Sequence, residues 1–154
     1  MNKYPIWWDS AVTLYNQYED PLTQKITWYR KVIGQDGPGT GCFWKNDNTQ
    51  IMLGDTAISS NSIICRIPKQ DNYLDRFSWT NLTNDQMANY FTLGRGDILI
   101  RGAVDDVIDE YSKGHRASDI LSKYKNRLEC LEIDEFTINI GYGRVNEHYY
   151  VRGH

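Results

Sequence analysis

Short segments of alternating apolar and polar residues constrain the fold of this chain more than any other feature. Residues 26–33 (ITWYRKVI) are rich in β-branched and aromatic side chains, and residues 12–16 place Val12 and Leu14 on one face. Residues 34–41 (GQDGPGTG) are too rich in glycine to be anything but a loop, and Pro68 ends a strand over residues 62–67. Strands at such short spacing predict antiparallel pairing in a β-barrel or sandwich.

The period of the pattern changes after the strand at residues 97–101. Val104, Val107, Ile108 and Tyr111 follow the i, i+3, i+4, i+7 spacing of one helix face, and Gly114 is placed to end that helix. Ser118 is a good N-cap for a second helix whose inner side would carry Leu121, Tyr124 and Leu128. Residues 131–140 and 148–152 then return to strands. The predicted class is mainly β, a small antiparallel barrel or sandwich with one helical insertion at about residues 103–125 and projecting loops.

The length of 154 residues fits one domain, and the 40% hydrophobic content lies within the globular range. We therefore predict a single domain over residues 1–154, with residues 1–10 as an N-terminal arm. Aromatic residues within 70–91 indicate a packed excursion over the sheet. The alternation predicts a core on inward strand faces formed by Val12, Leu14, Trp28, Phe43, Ile63, Cys65, Ile67, Ile98 and Ile100.

Charge and hydropathy argue against several classes of function. The formal net charge is −3, from 17 basic and 20 acidic residues without a basic block, which disfavours stable nucleic-acid binding. The apolar runs are too short to span a membrane, and the first ten residues lack the pattern of a signal peptide. Cys42, Cys65 and Cys130 are far apart and odd in number, so we expect reduced thiols.

No catalytic or metal-binding motif stands out. The three histidines, His115, His148 and His154, lack metal-ligand spacing, and the loop over residues 34–41 lacks the Lys-Ser/Thr pair of a phosphate loop. We expect the acidic residues at positions 105–110 to be solvated without a metal, since a helix face splays its carboxylates. The prediction is a protein that is not an enzyme and needs no cofactor or metal.

The aromatic composition points to contacts with other macromolecules. The chain has 11 Tyr and 5 Trp against 4 Phe, and Tyr and Trp are enriched at protein interfaces. Trp7 and Trp8 are very apolar for a terminus, and the loop over residues 34–41 cannot supply a core. An arm that folds back onto its own domain is the alternative. The predicted partner-contact residues are Trp7, Trp8, Gly34, Asp36, Gly37, Pro38, Gly39 and Gly41.

Several segments together resemble the minor capsid or head–tail connector proteins of tailed phages that infect Gram-positive bacteria. The similar segments occur in the same order over most of the chain: residues 12–18 (VTLYNQY), 28–33 (WYRKVI), 42–44 (CFW), 64–68 (ICRIP), 91–93 (FTL), 96–102 (GDILIRG) and 148–153 (HYYVRG).

The resemblance implies a structural virion protein of the phage neck, made in the cytoplasm of the host bacterium. Its implied fold is a small β-barrel, and its implied partners are copies of itself in a ring, the portal or adaptor proteins and a tail completion protein. Such a ring helps to retain packaged double-stranded DNA and lies in non-specific proximity to it. The alternatives are an OB-like barrel that binds single-stranded nucleic acid through Tyr and Trp stacking, and a tail-side structural component.

Overall fold

The structure is a computed structural model that describes residues 4–54, 56–125, 129–141 and 146–154, without the side chains of residues 47–53, 56–61 and 125. Within these ranges the chain forms seven β-strands and three short helices. In chain order the elements are β1 (Val12–Glu19), β2 (Ile26–Ile33), β3 (Phe43–Leu53), β4 (Thr56–Pro68), α1 (Arg76–Thr80), α2 (Asn84–Asn89), β5 (Ile98–Arg101), α3 (Ala117–Lys125), β6 (Cys130–Asn139) and β7 (His148–Gly153).

The seven strands form one antiparallel sheet in the order β2-β1-β5-β6-β7-β4-β3. Strand β6 joins its two halves, because Cys130–Glu132 pair with β5 and the rest of the strand pairs with β7. A register shift between Ile133 and Glu135 marks the change of partner, as expected of a β-bulge that bends a strand. The fold is mainly β, as predicted. Strands β2 and β3 lie at the two edges of the sheet, so the sheet does not close into a barrel.

The main core lies where the two halves of the sheet face each other. Val12 and Leu14 of β1 share this cluster with Cys65 and Ile67 of β4 and with Val151 of β7. Side chains from strands far apart in the strand order therefore meet, which is the arrangement of a sandwich. Most of the predicted core is confirmed as buried, namely Val12, Leu14, Ile63, Cys65, Ile67, Ile98 and Ile100.

A second cluster covers the outer face of β1, β5 and β6. Ile98 and Ile100 belong to it, so these two predicted core residues lie on the opposite face of the sheet from Val12. Strand β1 is consequently buried on both faces over residues 12–16. Trp28 and Phe43 are only half-buried, because each lies on an edge strand of the sheet.

The predicted helix over residues 104–111 is wrong. Ile108 is buried, but Val107 and Tyr111 are each 61% exposed, and the segment is not helical. The second predicted helix is confirmed as α3, where Leu121 and Tyr124 pack on the outer cluster. Ser118 lies inside that helix instead of capping it, and Leu128 is outside the described residues.

Side chains of the sheet explain why residues 104–109 do not form a helix. Val104 N donates to Thr13 Oγ1 at 3.0 Å, and its carbonyl accepts from Arg30 Nε at 2.7 Å. The Tyr15 hydroxyl donates to the Asp106 carbonyl at 2.5 Å. The Val104 and Asp106 carbonyls, which a helix would pair internally, thus accept from side chains of the sheet, in a segment whose Val and Asp residues are poor helix formers.

The excursion over residues 70–91 packs on the sheet as predicted. Asp75 caps α1 by accepting from Ser78 N, and Thr83 forms a capping box with Gln86 at α2. Trp79 is buried beneath this excursion, and its ring contacts Tyr29 edge-on at 5.6 Å between centroids.

Candidate functional site

The N-terminal arm and the loop over residues 34–41, the two predicted contact regions, lie against each other. Gly41 N donates to the Trp8 carbonyl at 2.9 Å, and Gly37 N donates to the Asp9 carbonyl at 3.0 Å. Ser10 and Cys42 then form an isolated antiparallel bridge. The arm therefore lies along the start of β3, and the loop is held in place by backbone hydrogen bonds to the arm.

Two further contacts fix this arm–loop unit, which comprises residues 8–11 and 34–42. The Asp36 carboxylate accepts from Ala11 N at 3.0 Å. Gly41 is buried, and a β-carbon at this position would lie 2.6 Å from both Ser10 N and Ser10 O. The close approach of the two backbones requires glycine here.

Trp8 is buried inside its own chain, with 5% of its surface exposed. Its ring stacks on Tyr4 at 5.0 Å, meets His148 edge-on at 5.4 Å, and lies 6.3 Å from Phe43. The expectation that both tryptophans act outside the core is therefore wrong for Trp8. Burial of its large apolar surface favours the folded-back position.

Trp7 and the tip of the loop stay accessible. Trp7 is 60% exposed beside Ile6, which is 68% exposed. Pro38 and Asp36 are also exposed, whereas Gly39 is buried. Three of the eight predicted contact residues, Gly34, Gly37 and Gly39, have positive φ angles of 77°, 140° and 71°. Glycine adopts such angles readily, so these residues shape the loop.

A long β-hairpin extends beyond the sheet at its β3 edge. Strands β3 and β4 pair at eleven positions, but β7 pairs with β4 only from Ile63 to Pro68. Seven pairs, from Asp47 with Ser62 to Leu53 with Thr56, therefore have no third strand among the described residues. We call residues 47–62 the ribbon. At about 3.3 Å per residue, the ribbon extends about 20 Å.

The opposite edge of the sheet carries an open groove of about 670 Å³ beside β2. Trp28 and Ile108 line it together with the exposed Val107 and Tyr111. The remaining lining residues are Thr23, Lys25, Ile26, Thr27 and Asp109. The groove is thus largely apolar and lies on an unpaired strand edge, a position that proteins use for β-strand partners.

A buried ion pair joins Arg76 of α1 to Asp97, the residue before β5. Asp97, with no exposed surface, accepts from Asn16 Nδ2 at 2.8 Å, from Gln17 N at 3.0 Å and from Arg76 Nη2 at 3.0 Å. Burial raises the pKa of Asp97 and outweighs the opposing effect of the Arg76 guanidinium. The sequence pattern placed Asp97 at the start of a strand but did not reveal its distant partners.

Arg76 is positioned by its own contacts as well. Its Nη1 donates to the Gln17 carbonyl at 3.3 Å, and its guanidinium lies 5.6 Å from the Trp79 ring centroid. A β-carbon at Gly94 would lie 2.2 Å from Arg76 Nη2, so a side chain at this position would displace the guanidinium. This network ties α1 to β1 and β5.

Two of the acidic residues over positions 105–110 form ion pairs. Asp105 forms an ion pair with Arg30 at 3.4 Å, and Asp106 with Lys123 at 3.1 Å. The Tyr124 hydroxyl donates to Asp106 and, with Lys123, lowers the pKa of that carboxyl. Among the described residues, no three His, Cys, Asp or Glu side chains are grouped so as to hold a metal ion.

Polar side chains of β4 and β7 lie together on one face of the sheet. The Arg66 guanidinium lies 4.9 Å from the Tyr150 ring centroid, and its Nη1 is 3.0 Å from His148 Nε2. Arg152 donates to Ser62 Oγ at 3.0 Å on the same face and is directly opposite Glu135 of β6.

Comparison with known proteins places the chain in a family. A model of DUF6751, a family of unknown function, matches residues 7–154. The chain belongs to this family. No curated protein and no solved structure matches the sequence. The DUF6751 match includes Trp7, the arm–loop unit, the ribbon and the groove beside β2, so each of these surfaces lies within the family's region.

Within the described ranges, every helix is too short or too polar to cross a membrane. The groove and the ribbon were not among the predicted contact regions. Alternation predicted β2 and the part of β4 from residue 62 onward, but not the longer pairing of β3 with β4. It also does not tell which strand is left at an edge or how far a hairpin extends beyond the neighbouring strands.

Proposed function

We propose that this chain is a structural subunit of the neck of a tailed phage. It would be a head–tail connector of the stopper type, which forms a ring between portal or adaptor and tail and helps to retain packaged DNA. The order of the segments at residues 12–18, 28–33, 64–68 and 96–102 supports this proposal, since it resembles that of phage connector proteins.

The observation that carries the proposal is that the two edges of one sheet present different surfaces. The β3 edge carries the ribbon, whereas the β2 edge carries an apolar groove with Trp28 at its side. A ring needs head-to-tail contacts between two different patches, and it closes when the rotation per subunit divides a full circle. Unpaired edges are otherwise a liability for an isolated domain.

The ribbon supports an assembly role for a second reason. A two-stranded hairpin without a third strand is only marginally stable in water. A chain that maintains seven such pairs benefits from a partner that buries part of the hairpin. Trp7 and Ile6, exposed beside the arm–loop unit, provide a further apolar contact for a neighbouring subunit or the adaptor.

Assembly of the purified chain tests this function. We expect light scattering after size exclusion to give a mass of several subunits, and negative-stain electron micrographs to show rings. A variant lacking residues 49–60, with Asn48 joined to Asn61 by an Asn-Gly turn, should stay monomeric and keep its melting temperature. A full-length chain that remains monomeric at high concentration would contradict the proposal.

Binding of single-stranded nucleic acid is the second candidate. The observation that favours it is the face where Arg66 lies against Tyr150 with Arg152 nearby, since cationic and aromatic side chains together bind single strands. Glu135 opposite Arg152 reduces the positive charge of this face. A salt-dependent shift of a labelled oligonucleotide that Arg66→Ala abolishes would favour this function over the connector.

A further inference from the structure

His148, the first residue of β7, lies where the N-terminal arm meets three strands of the sheet. Its strand partners are Pro68 of β4 and Asn139 of β6. The Trp8 ring of the arm packs against the imidazole in a T-shaped arrangement, with 5.4 Å between the ring centroids. A change of charge on His148 therefore acts on the arm and on the sheet at once.

Hydrogen bonds determine the protonation state of this imidazole. Nδ1 lies 2.7 Å from the Asn146 carbonyl oxygen, which can only accept, so Nδ1 carries a hydrogen. Nε2 lies 3.0 Å from Arg66 Nη1, which can only donate, so Nε2 is an acceptor. Asn139 Nδ2 lies 3.3 Å from the same nitrogen. The contacts thus require a neutral imidazole with its hydrogen on Nδ1.

Protonation of Nε2 removes the acceptor that joins β4 and β6 to β7. Arg66 and Asn139 both lose a hydrogen bond, and the imidazolium then lies beside the guanidinium across the present 3.0 Å contact. Two like charges at that distance destabilise each other. Histidine is the side chain whose charge changes between about pH 5 and 8, so these contacts depend on the pH in that range.

The charged residue next to His148 in the sequence does not offset this repulsion directly. Glu147 precedes His148, and its carboxylate accepts from Gly141 N at 2.8 Å. Lys69, whose backbone N donates to the Glu147 carbonyl at 3.1 Å, is a further cation on β4's side and is exposed. A positive charge on His148 therefore faces Arg66, while the Glu147 carboxylate is bound to the turn before β7.

The arm limits the access of water to the imidazole. Trp8 is 5% exposed and lies over His148, which is half-buried. A charged group without a partner is costly to hold away from water. Detachment of the arm lets water reach the imidazolium, so protonation favours the detached arm over the docked one.

We propose that His148 is a pH-sensitive latch, which holds the N-terminal arm on the sheet when it is neutral and releases the arm when it is protonated. Release exposes Trp8 and the Phe43 ring, which lies 6.3 Å from it. The contribution of the latch to arm docking is present while the ring is neutral and is lost as the pH falls. The latch acts within one chain and does not depend on the proposed connector function.

Hydrogen exchange measured by NMR tests the latch. Gly41 N and Gly37 N donate to the arm carbonyls of Trp8 and Asp9, so the protection of these two amides reports the docked arm. We expect both protection factors, corrected for the chemical exchange rate, to fall at least about tenfold between about pH 7.5 and about pH 5.5. Leu14 N, in the central strand β1, should stay protected over the same range.

His148→Gln is the variant that separates the latch from other effects of acid. Its side-chain oxygen can still accept from Arg66, but it stays uncharged, so Gly41 and Gly37 should remain protected at both pH values. His115→Gln replaces an exposed histidine and should behave like the wild type. An equal loss of protection in His148→Gln and the wild type would assign the release to another group and overturn the latch.

Spectra of the imidazole nitrogens of the wild-type chain test the same idea without any variant. At neutral pH we expect the hydrogen of His148 on Nδ1 and a bare Nε2, and in acid we expect Nε2 to become protonated as the arm detaches. The opposite tautomer at neutral pH would contradict the latch. So would a rise in the protection of Gly41 in acid, which would mean that the imidazolium attracts the Trp8 ring.

Discussion

Arg76 and Asp97 form an ion pair of 3.0 Å in which the carboxylate is fully buried and the guanidinium side chain is 35% exposed. The pair connects α1 to Asp97, which immediately precedes β5, and Asn16 of β1 donates to the same carboxylate. Three segments far apart in sequence thus meet at one charged group. The consequences of removing either member can be measured directly.

Arg76→Ala should lower the free energy of unfolding by about 3 kcal/mol, because it leaves the buried Asp97 carboxylate without its cation. That figure is at the lower end of the range for broken buried pairs, since solvent reaches part of Arg76. Urea denaturation followed by tryptophan fluorescence measures the change. Arg95→Ala, an exposed neighbour on the same turn, is the control and should have little effect.

The pH dependence of stability should carry the signature of Asp97. Burial raises the pKa of Asp97, so its contribution is fully present below the ordinary Asp pKa and is lost as the pH rises through the raised value. The stability of the wild type relative to Asp97→Asn should therefore increase as the pH falls from 7 toward 4. Denaturation curves at a series of pH values provide the measurement.

Asp106→Asn is the control of opposite sign for that titration. Hydrogen bonds from Tyr124 and Lys123 lower the pKa of Asp106, so its contribution is present above the ordinary Asp pKa and is lost as the pH falls through the lowered value. The stability of the wild type relative to Asp106→Asn should fall in acid. The same direction for both variants would contradict the assignment of the buried carboxylate.

Trp7 and Trp8 should respond differently to truncation although they are adjacent. Trp8→Ala removes a ring packed among Tyr4, Phe43 and His148, and should cost about 3–5 kcal/mol of stability. Trp7→Ala should change stability by less than about 0.5 kcal/mol and weaken assembly, since this ring is 60% exposed. Melting curves and light scattering separate the two effects, and equal losses of stability would refute the assignment.

Gly41→Ala should disrupt the arm–loop unit. The added β-carbon would lie 2.6 Å from the Ser10 backbone, and we expect a loss of about 2–3 kcal/mol. Gly54→Ala is the control, since nothing lies within 4 Å of its added carbon and only its φ of 64° opposes the change. That cost should be about 1 kcal/mol. Hydrogen exchange at Gly37 and Ala11 should increase in the first variant alone.

Val107→Asp should weaken assembly without weakening the fold. The side chain is 61% exposed in the single chain, but head-to-tail assembly through the groove beside β2 would bury the new charge without a partner. A cost of about 2 kcal/mol corresponds to a roughly 30-fold weaker self-association. Ile138→Asp, a similar change on β6, should leave association unaltered. Analytical ultracentrifugation measures both constants.

Much of the strand pattern follows from local sequence alone. Residues 26–33 are rich in β-branched and aromatic residues, and they form β2 with the predicted bounds. Glycine and proline mark the loop over residues 34–41 and the end of β4 at Pro68 for reasons that act within a few residues. The inward face of β4 was likewise predictable, because alternation assigns Ile63, Cys65 and Ile67 to one side.

Periodicity was misleading where the sheet competes for backbone groups. The spacing of Val104, Val107, Ile108 and Tyr111 fits a helix. Thr13, Tyr15 and Arg30 instead form hydrogen bonds with the backbone of this segment that compete with those of a helix. Thr13 and Tyr15 are about ninety positions from the groups that they bind in this segment, and Arg30 is about seventy-five positions away. A short sequence window therefore cannot contain both the segment and its hydrogen-bond partners.

The groove, the free ribbon and the buried ion pair depend on strand order, which local sequence does not encode. Alternation tells which face of β2 and β4 is inward. Long-range packing decides that β2 and β3 lie at the edges and that β4 extends beyond the end of β7. Arg76 meets Asp97 only because α1 folds over the junction of β1 and β5. Such contacts form when distant segments bury apolar surface together, and that choice is made by the whole core.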